Sequence, residues 1–236
     1  MKKQIALVIL FTGFSLLFGQ SPILFQKEIP FDQVTDIEIN LAYENLEIHQ
    51  IYGEKVLIEM SGNNSTALPV VDLSEGKLTI KSKKERFSKG NSIGVQLYVP
   101  RYKSFLSGDF SVSSGGILIE GFESQTFVRI KSQSGQMTVK NVQAGQIELN
   151  SLSGSVFSEG LTAEYLKAES YFGTINLSSI TADYFDIETK SADIFASFTQ
   201  EAYAASSIRS LSGNIKVDLP EGEAEVYIKT KTGKVE

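Results

Sequence analysis

The chain has 236 residues, with 22 Lys and Arg against 28 Asp and Glu, one histidine and no cysteine. That balance argues against nucleic-acid binding, which needs a basic face. Without thiols the chain holds neither disulfides nor a thiolate metal site, so its stability must come from burial and backbone pairing.

Lys2 and Lys3 precede an apolar run from Ile5 to Phe18. The run is short for a membrane span, which takes about 20 residues. It reads as a secretory signal over residues 1–20, cleaved near Gly19 or Gln20. The expected location is therefore exported: periplasmic, cell-surface or secreted. Residues 21–36, with Pro22 and Pro30, read as a lead-in or cap. The rest, 37–236, suits one β-rich domain.

Alternating apolar residues then set in. Ile37, Ile39 and Leu41 precede Glu44, and Leu46, Ile48 and Ile51 follow it. Val56, Ile58 and Met60 continue the alternation, as do Val71, Leu73, Leu78 and Ile80, and Val95–Pro100 reads as another strand. Period-two alternation marks strands with one buried face. One basic stretch interrupts it, residues 81–92, carrying Lys81, Lys83, Lys84, Arg86 and Lys89. In an acidic chain this loop is a candidate contact for an anionic envelope polymer. The plainer reading is a solvated loop.

From residue 115 the chain repeats itself. "VRIKSQSGQMTV" (Val128–Val139) returns as "IELNSLSGSVFS" and "LKAESYFGTINL". Aligned on Gly115, Gly135, Gly154, Gly173, Ala192, Gly213 and Gly233, the spacings are 20, 19, 19, 19, 21 and 20. Positions −7, −5, +2, +4 and +7 from the glycine are mainly apolar, and position −3 is Ser or Thr in every unit after the first. Each unit is strand, turn, strand and loop, too short for a crossover helix. An antiparallel sandwich would alternate but would not keep residue types in phase. A parallel β-solenoid of about 20 residues per coil does, because like residues stack on like. The six glycines are then structural turn positions, needed for a positive φ or for the missing Cβ. The −3 hydroxyls should point inward and bond the turn or the next coil. Arg129, Glu148, Lys167 and Asp186, outward at −6, alternate in sign as stacked neighbours should. Val235 falls in the inward +2 column.

The N-terminal "DIEIN", the "LYVP" strand end and the repeated Ser-Gly phrases resemble the bacterial adhesin domain called toastrack, and its relative, the auto-transporter adhesin head domain. The resemblance covers about Val34 to Glu236. It implies a single-chain, right-handed β-helix, and it supplies no catalytic residues. The Ser-Gly pair is replaced at Glu44, Phe172 and Ala192.

No catalytic, cofactor or metal residues are predicted. His49 is outward by parity and reads as an exposed strand residue; any Ser–His–acid triad would have to use it. Glu169 and Glu188 share an outward column, the kind of pair that glycan-active solenoids employ. The loops, however, look too short to build a cleft. Two aromatic groups are candidate binding surface: Leu118, Phe157 and Phe195 at +3, and Phe127, Tyr165 and Tyr184 at −8. Exposed rings on a sheet can stack on sugars or meet a protein. The functional expectation is a non-catalytic envelope or surface binding module, an adhesin or scaffold. Its expected partner is an envelope protein or surface glycan, with weak end-to-end self-association. Alternatives are an envelope-stress sensor acting through a protein partner and a polysaccharide-active enzyme.

Overall fold

The computed structural model describes residues 21–83, 92–202, 206–222 and 225–236. The signal segment 1–20, and Lys84, Arg86 and Lys89 of the basic loop, lie outside them. Among the described residues no helix is long and apolar enough to cross a membrane.

The strands run in chain order as β1 Ile23–Pro30, β2 Asp36–Leu41, β3 Asn45–Ile51, β4 Lys55–Gly62, β5 Val70–Ser74 and β6 Lys77–Lys81. Then come β7 Ile93–Pro100, β8 Phe105–Val112, β9 Ile117–Ser132, β10 Met137–Ser151, β11 Val156–Glu159 and β12 Thr162–Ser170. The last are β13 Ile175–Thr189, β14 Ile194–Phe198, β15 Ser206–Ser212, β16 Ile215–Asp218 and β17 Val226–Thr232. From β8 onward all pairings are parallel, and the repeat columns become ladder rungs. Ile130 pairs with Leu149, Leu149 with Ala168, Ala168 with Ile187 and Ile187 with Ile208. All five are buried completely. The architecture is the expected parallel β-solenoid, with coils about 4.8 Å apart. Each regular coil buries about five aliphatic side chains, each worth roughly 1.5–3 kcal/mol.

Every coil turns at two defined corners. At the first, none of the six repeat glycines has a positive φ. They are needed for close approach alone. A Cβ on Gly154 would lie 1.9 Å from the Gly135 carbonyl oxygen, and one on Gly173 would lie 2.0 Å from that of Gly154. The hydroxyls behave as expected: Ser132 donates to the Gly135 carbonyl at 2.8 Å and Thr189 to that of Ala192 at 2.7 Å. The left-handed residues stand at the second corner, six after the glycine: Gly121 (φ 93°), Asn141 (52°), Gly160 (66°) and Ser179 (54°). Glycine and asparagine tolerate that region best.

The N-terminal part does not follow chain order, contrary to the expectation from its alternation. Strands β2 and β3 form a coil lying between β6/β7 on one side and β8/β9 on the other. The chain thus starts in an inner coil, builds outward, and returns to extend the stack. Val56, Ile58 and Met60 are buried, but β4 runs antiparallel to both β1 and β7, and β5 runs antiparallel to β6. Alternation reports which face is buried and carries no strand direction. An aromatic group fills this region, with Phe105 stacked on Phe122 at 5.1 Å and Phe110 edge-on to Phe122 at 5.2 Å. In the last described coil Val235 is 51% exposed, where the column predicted an inward residue.

Candidate functional site

The second corner divides the six predicted binding residues into two separate rows. Leu118, Thr138, Phe157, Asn176 and Phe195 are register partners on the stretch after the glycine. Phe127, Gln146, Tyr165 and Tyr184 form a second row on the stretch before the next glycine. Between them each coil passes a left-handed residue and, in β10, a register shift at Gln143–Gln146. The two aromatic groups thus lie on separate rows, because the long strand bends between them.

The first row is the more open. Phe157 and Phe195 are 37% and 38% exposed and stand two rungs apart, with Asn176 between them. No hydrogen bond engages the Asn176 side chain among the described residues. Shallow depressions of about 210 and 200 Å³ flank the row beside Phe157 and Leu118. In the second row the Arg129 guanidinium covers Phe127 at 5.3 Å. Tyr165 is half-buried, and its phenol is raised above the ordinary tyrosine range, chiefly by burial and then by Asp186. Tyr184 stays exposed.

Charged neighbours are largely paired. Arg129 bridges Glu148 at 2.8 Å and Asp109 at 3.4 Å. This holds the Glu148 carboxyl below its ordinary value, with the Arg129 hydrogen bond the largest cause. Lys167 keeps the expected sign alternation, in register between Glu148 and Asp186, but its ammonium turns along its own strand to Glu169 at 2.8 Å. Arg209 joins Asp186 and Glu188, both at 3.1 Å. In the basic segment, Lys81 is bound to Glu38 at 2.7 Å and Lys83 donates to the Thr66 carbonyl at 2.8 Å.

His49 faces outward as expected, but its side chain is only 25% exposed. Glu120 lies 3.2 Å from Nδ1 and Glu47 lies 3.5 Å from Nε2. Among the described residues no serine hydroxyl bonds it, so the parts of a serine triad are not assembled. Nor does any group of three or more His, Asp or Glu there suit a metal ion.

Sequence reasoning missed two clefts. One of about 650 Å³ crosses several coils beyond the second corner, with Glu123, Glu164 and Asp183 among its walls and Ala144 and Ala163 also lining it. The signal was the register pair Ala144–Ala163, two small residues that line it. The other, of about 310 Å³, lies at the glycine corner beside Leu152 and Tyr171.

The family model for Toastrack DUF4097 matches residues 34–236. The chain belongs to the Toastrack DUF4097 family. Three solved structures, all with names qualified as "putative", share the Toastrack fold. An adhesin from Parabacteroides distasonis superposes with a TM-score of 0.58 at 16% identity, covering 91% of this chain and 97% of its own. An adhesin from Parabacteroides merdae gives 0.53 at 18%, covering 90% and 96%. A lipid binding protein from Parabacteroides distasonis gives 0.51 at 17%, again covering 90% and 96%. At these identities the likeness concerns the fold. No curated protein matches the sequence.

Proposed function

We propose that this Toastrack chain is an exported, non-catalytic binding module of the bacterial envelope, an adhesin or scaffold. Its working surface is the Leu118–Phe157–Phe195 row, and its partner a surface glycan or an envelope protein. One observation carries the reading. Two phenylalanines, each more than a third exposed, repeat two rungs apart on a flat ladder with an unengaged amide between them. Rings of this kind are removed from water only by a partner. The adhesin and lipid-binding names of the structural neighbours support a binding role. The basic and apolar start of the sequence supports export. The test is the double variant Phe157→Ser/Phe195→Ser, assayed against isolated envelope polysaccharide and envelope protein fractions. Loss of binding at an unchanged melting temperature supports the row. Unchanged binding removes it.

A second reading rests on the 650 Å³ cleft, where Glu123, Glu164 and Asp183 share one groove. Paired carboxylates hydrolyse glycosidic bonds when one is kept protonated by its surroundings. Here Glu164 is exposed, and Gln200 donates to Asp183 at 3.1 Å. Release of new reducing ends from envelope polysaccharide, abolished by Glu164→Gln/Asp183→Asn, would favour that reading over the binding module.

A further inference from the structure

At the glycine corner, Gln133, Leu152 and Tyr171 occupy successive outward positions two before the glycine, and Lys131, Asn150 and Glu169 occupy those four before it. The inward-facing Ser132 and Ser151 lie between the two runs. Together they bound the cleft of about 310 Å³. That volume is at the lower end of ordinary small-ligand sites.

The cleft has an apolar wall and a polar wall. Leu152 and Tyr171 are each nearly half exposed. The Tyr171 ring is held from outside the cleft: the Lys190 ammonium sits 3.8 Å from its centroid and the Phe172 edge packs at 6.1 Å. Opposite, Lys131 pairs in register with Asn150, and Asn150 with Glu169. Glu169 is committed to Lys167. The side chains of Lys131, Asn150 and Gln133 make no hydrogen bond or ion pair among the described residues. This sets them apart from the charges two positions earlier in the same strands, Arg129 and Glu148, which are locked together.

An aromatic ring, two amides and one cation that acts on Glu148 only at a distance, without an ion pair of its own, thus stand within a few rungs of about 4.8 Å each. A ring face with apolar surroundings suits the C–H face of a pyranose. Amides donate and accept, as sugar hydroxyls do. A single ammonium supplies a charge-assisted bond to one carboxylate. We propose that this cleft binds one acidic sugar residue, of the uronic-acid class, within a polysaccharide. The site lies on a different part of the coil from the phenylalanine row and stands independently of it.

The test titrates the full-length protein with an oligogalacturonate, with the matched neutral galactose oligomer, and with acetate, by calorimetry. The uronate oligomer is expected to bind at least tenfold tighter than the neutral one, with acetate showing no binding. Tyr171→Ala and Lys131→Gln should each weaken the uronate oligomer roughly tenfold or more, at unchanged melting temperature. Its affinity should also fall as salt rises. Leu211→Ala, on the same ridge beyond the cleft, should bind it like the parent. Equal affinity for both oligomers, parental binding by Lys131→Gln, or no binding of the uronate oligomer at millimolar concentration would overturn the proposal.

Discussion

The carbonyl oxygen of Gly115 occupies the place that a Cβ on Gly135 would need, 1.8 Å away. The same contact recurs between Gly135 and Gly154, and between Gly154 and Gly173. The column is therefore a packing constraint that passes from coil to coil. Gly154→Ala must push two backbones apart, and overpacking of this kind costs about 1–3 kcal/mol. The coil at Ala192 carries a methyl in this column, so the variant should still fold. Urea denaturation should show a lower midpoint with the slope preserved. A midpoint equal to the parent's would mean that the coils are free to separate.

The second corner makes the opposite demand. Ser179 sits at φ 54°, in the region that L-residues avoid at a cost of about 1–2 kcal/mol. Ser179→Gly should therefore be neutral or stabilising by up to about 1 kcal/mol, and Gly160→Val, at φ 66°, should destabilise by about 1–2 kcal/mol. Thermal melts of the two variants should move in opposite directions or, for Ser179→Gly, not at all.

Neighbouring residues in one strand should differ sharply. Ile187 is buried completely, whereas Asp186 is half-buried and bound to Arg209 and Ser207. Ile187→Asp places an unpaired charge between Ala168 and Ile208, and such a charge costs several kcal/mol or a neutralised side chain. Asp186→Ala removes a partly exposed ion pair, worth about 1 kcal/mol or less. If the two variants melt alike, the inward and outward assignment of β13 is wrong.

How much of this was legible depended on what the sequence pattern encodes. The solenoid from Ile117 onward was readable because stacking demands like residues at like positions, and Ile130, Leu149, Ile187 and Ile208 supply them at a constant phase. The antiparallel β4 was not, because Val56, Ile58 and Met60 alternate identically whichever way the strand runs. The two aromatic rows were found as residues at +3 and −8, but the bend that separates them at Asn141 and Ser179 was not legible, since it depends on backbone φ rather than on hydropathy. Tyr171 and Leu152 were given no role from the sequence. Their role as a wall depends on Lys131 and Asn150, which lie on the other flank of the serine column.

Acid should weaken the ladder where its depressed carboxylates take up protons. The Glu148 carboxyl is lowered from 4.5, first by its hydrogen bond to Arg129, with burial opposing and further charges on Arg129, Lys167 and Lys131 assisting. Glu38 is lowered from the same value by Lys77 and then Lys81. A carboxylate whose folded pKa is depressed takes up protons more readily in the unfolded chain. Its contribution is therefore present above pH 4.5 and is lost as pH falls through the lower folded value. Arg129→Gln removes the main cause of the shift at Glu148. At neutral pH the variant should be less stable than the parent by about 1 kcal/mol, since the pair is only partly exposed and screening is incomplete. Below pH 4.5 the two should converge, because protonated Glu148 no longer needs the guanidinium. Urea midpoints measured from neutral pH down into the acid limb, for parent and variant side by side, would show this as a gap that closes. A gap constant with pH would mean that Arg129 stabilises through its packing on Phe127, 5.3 Å away, and not through the carboxylate.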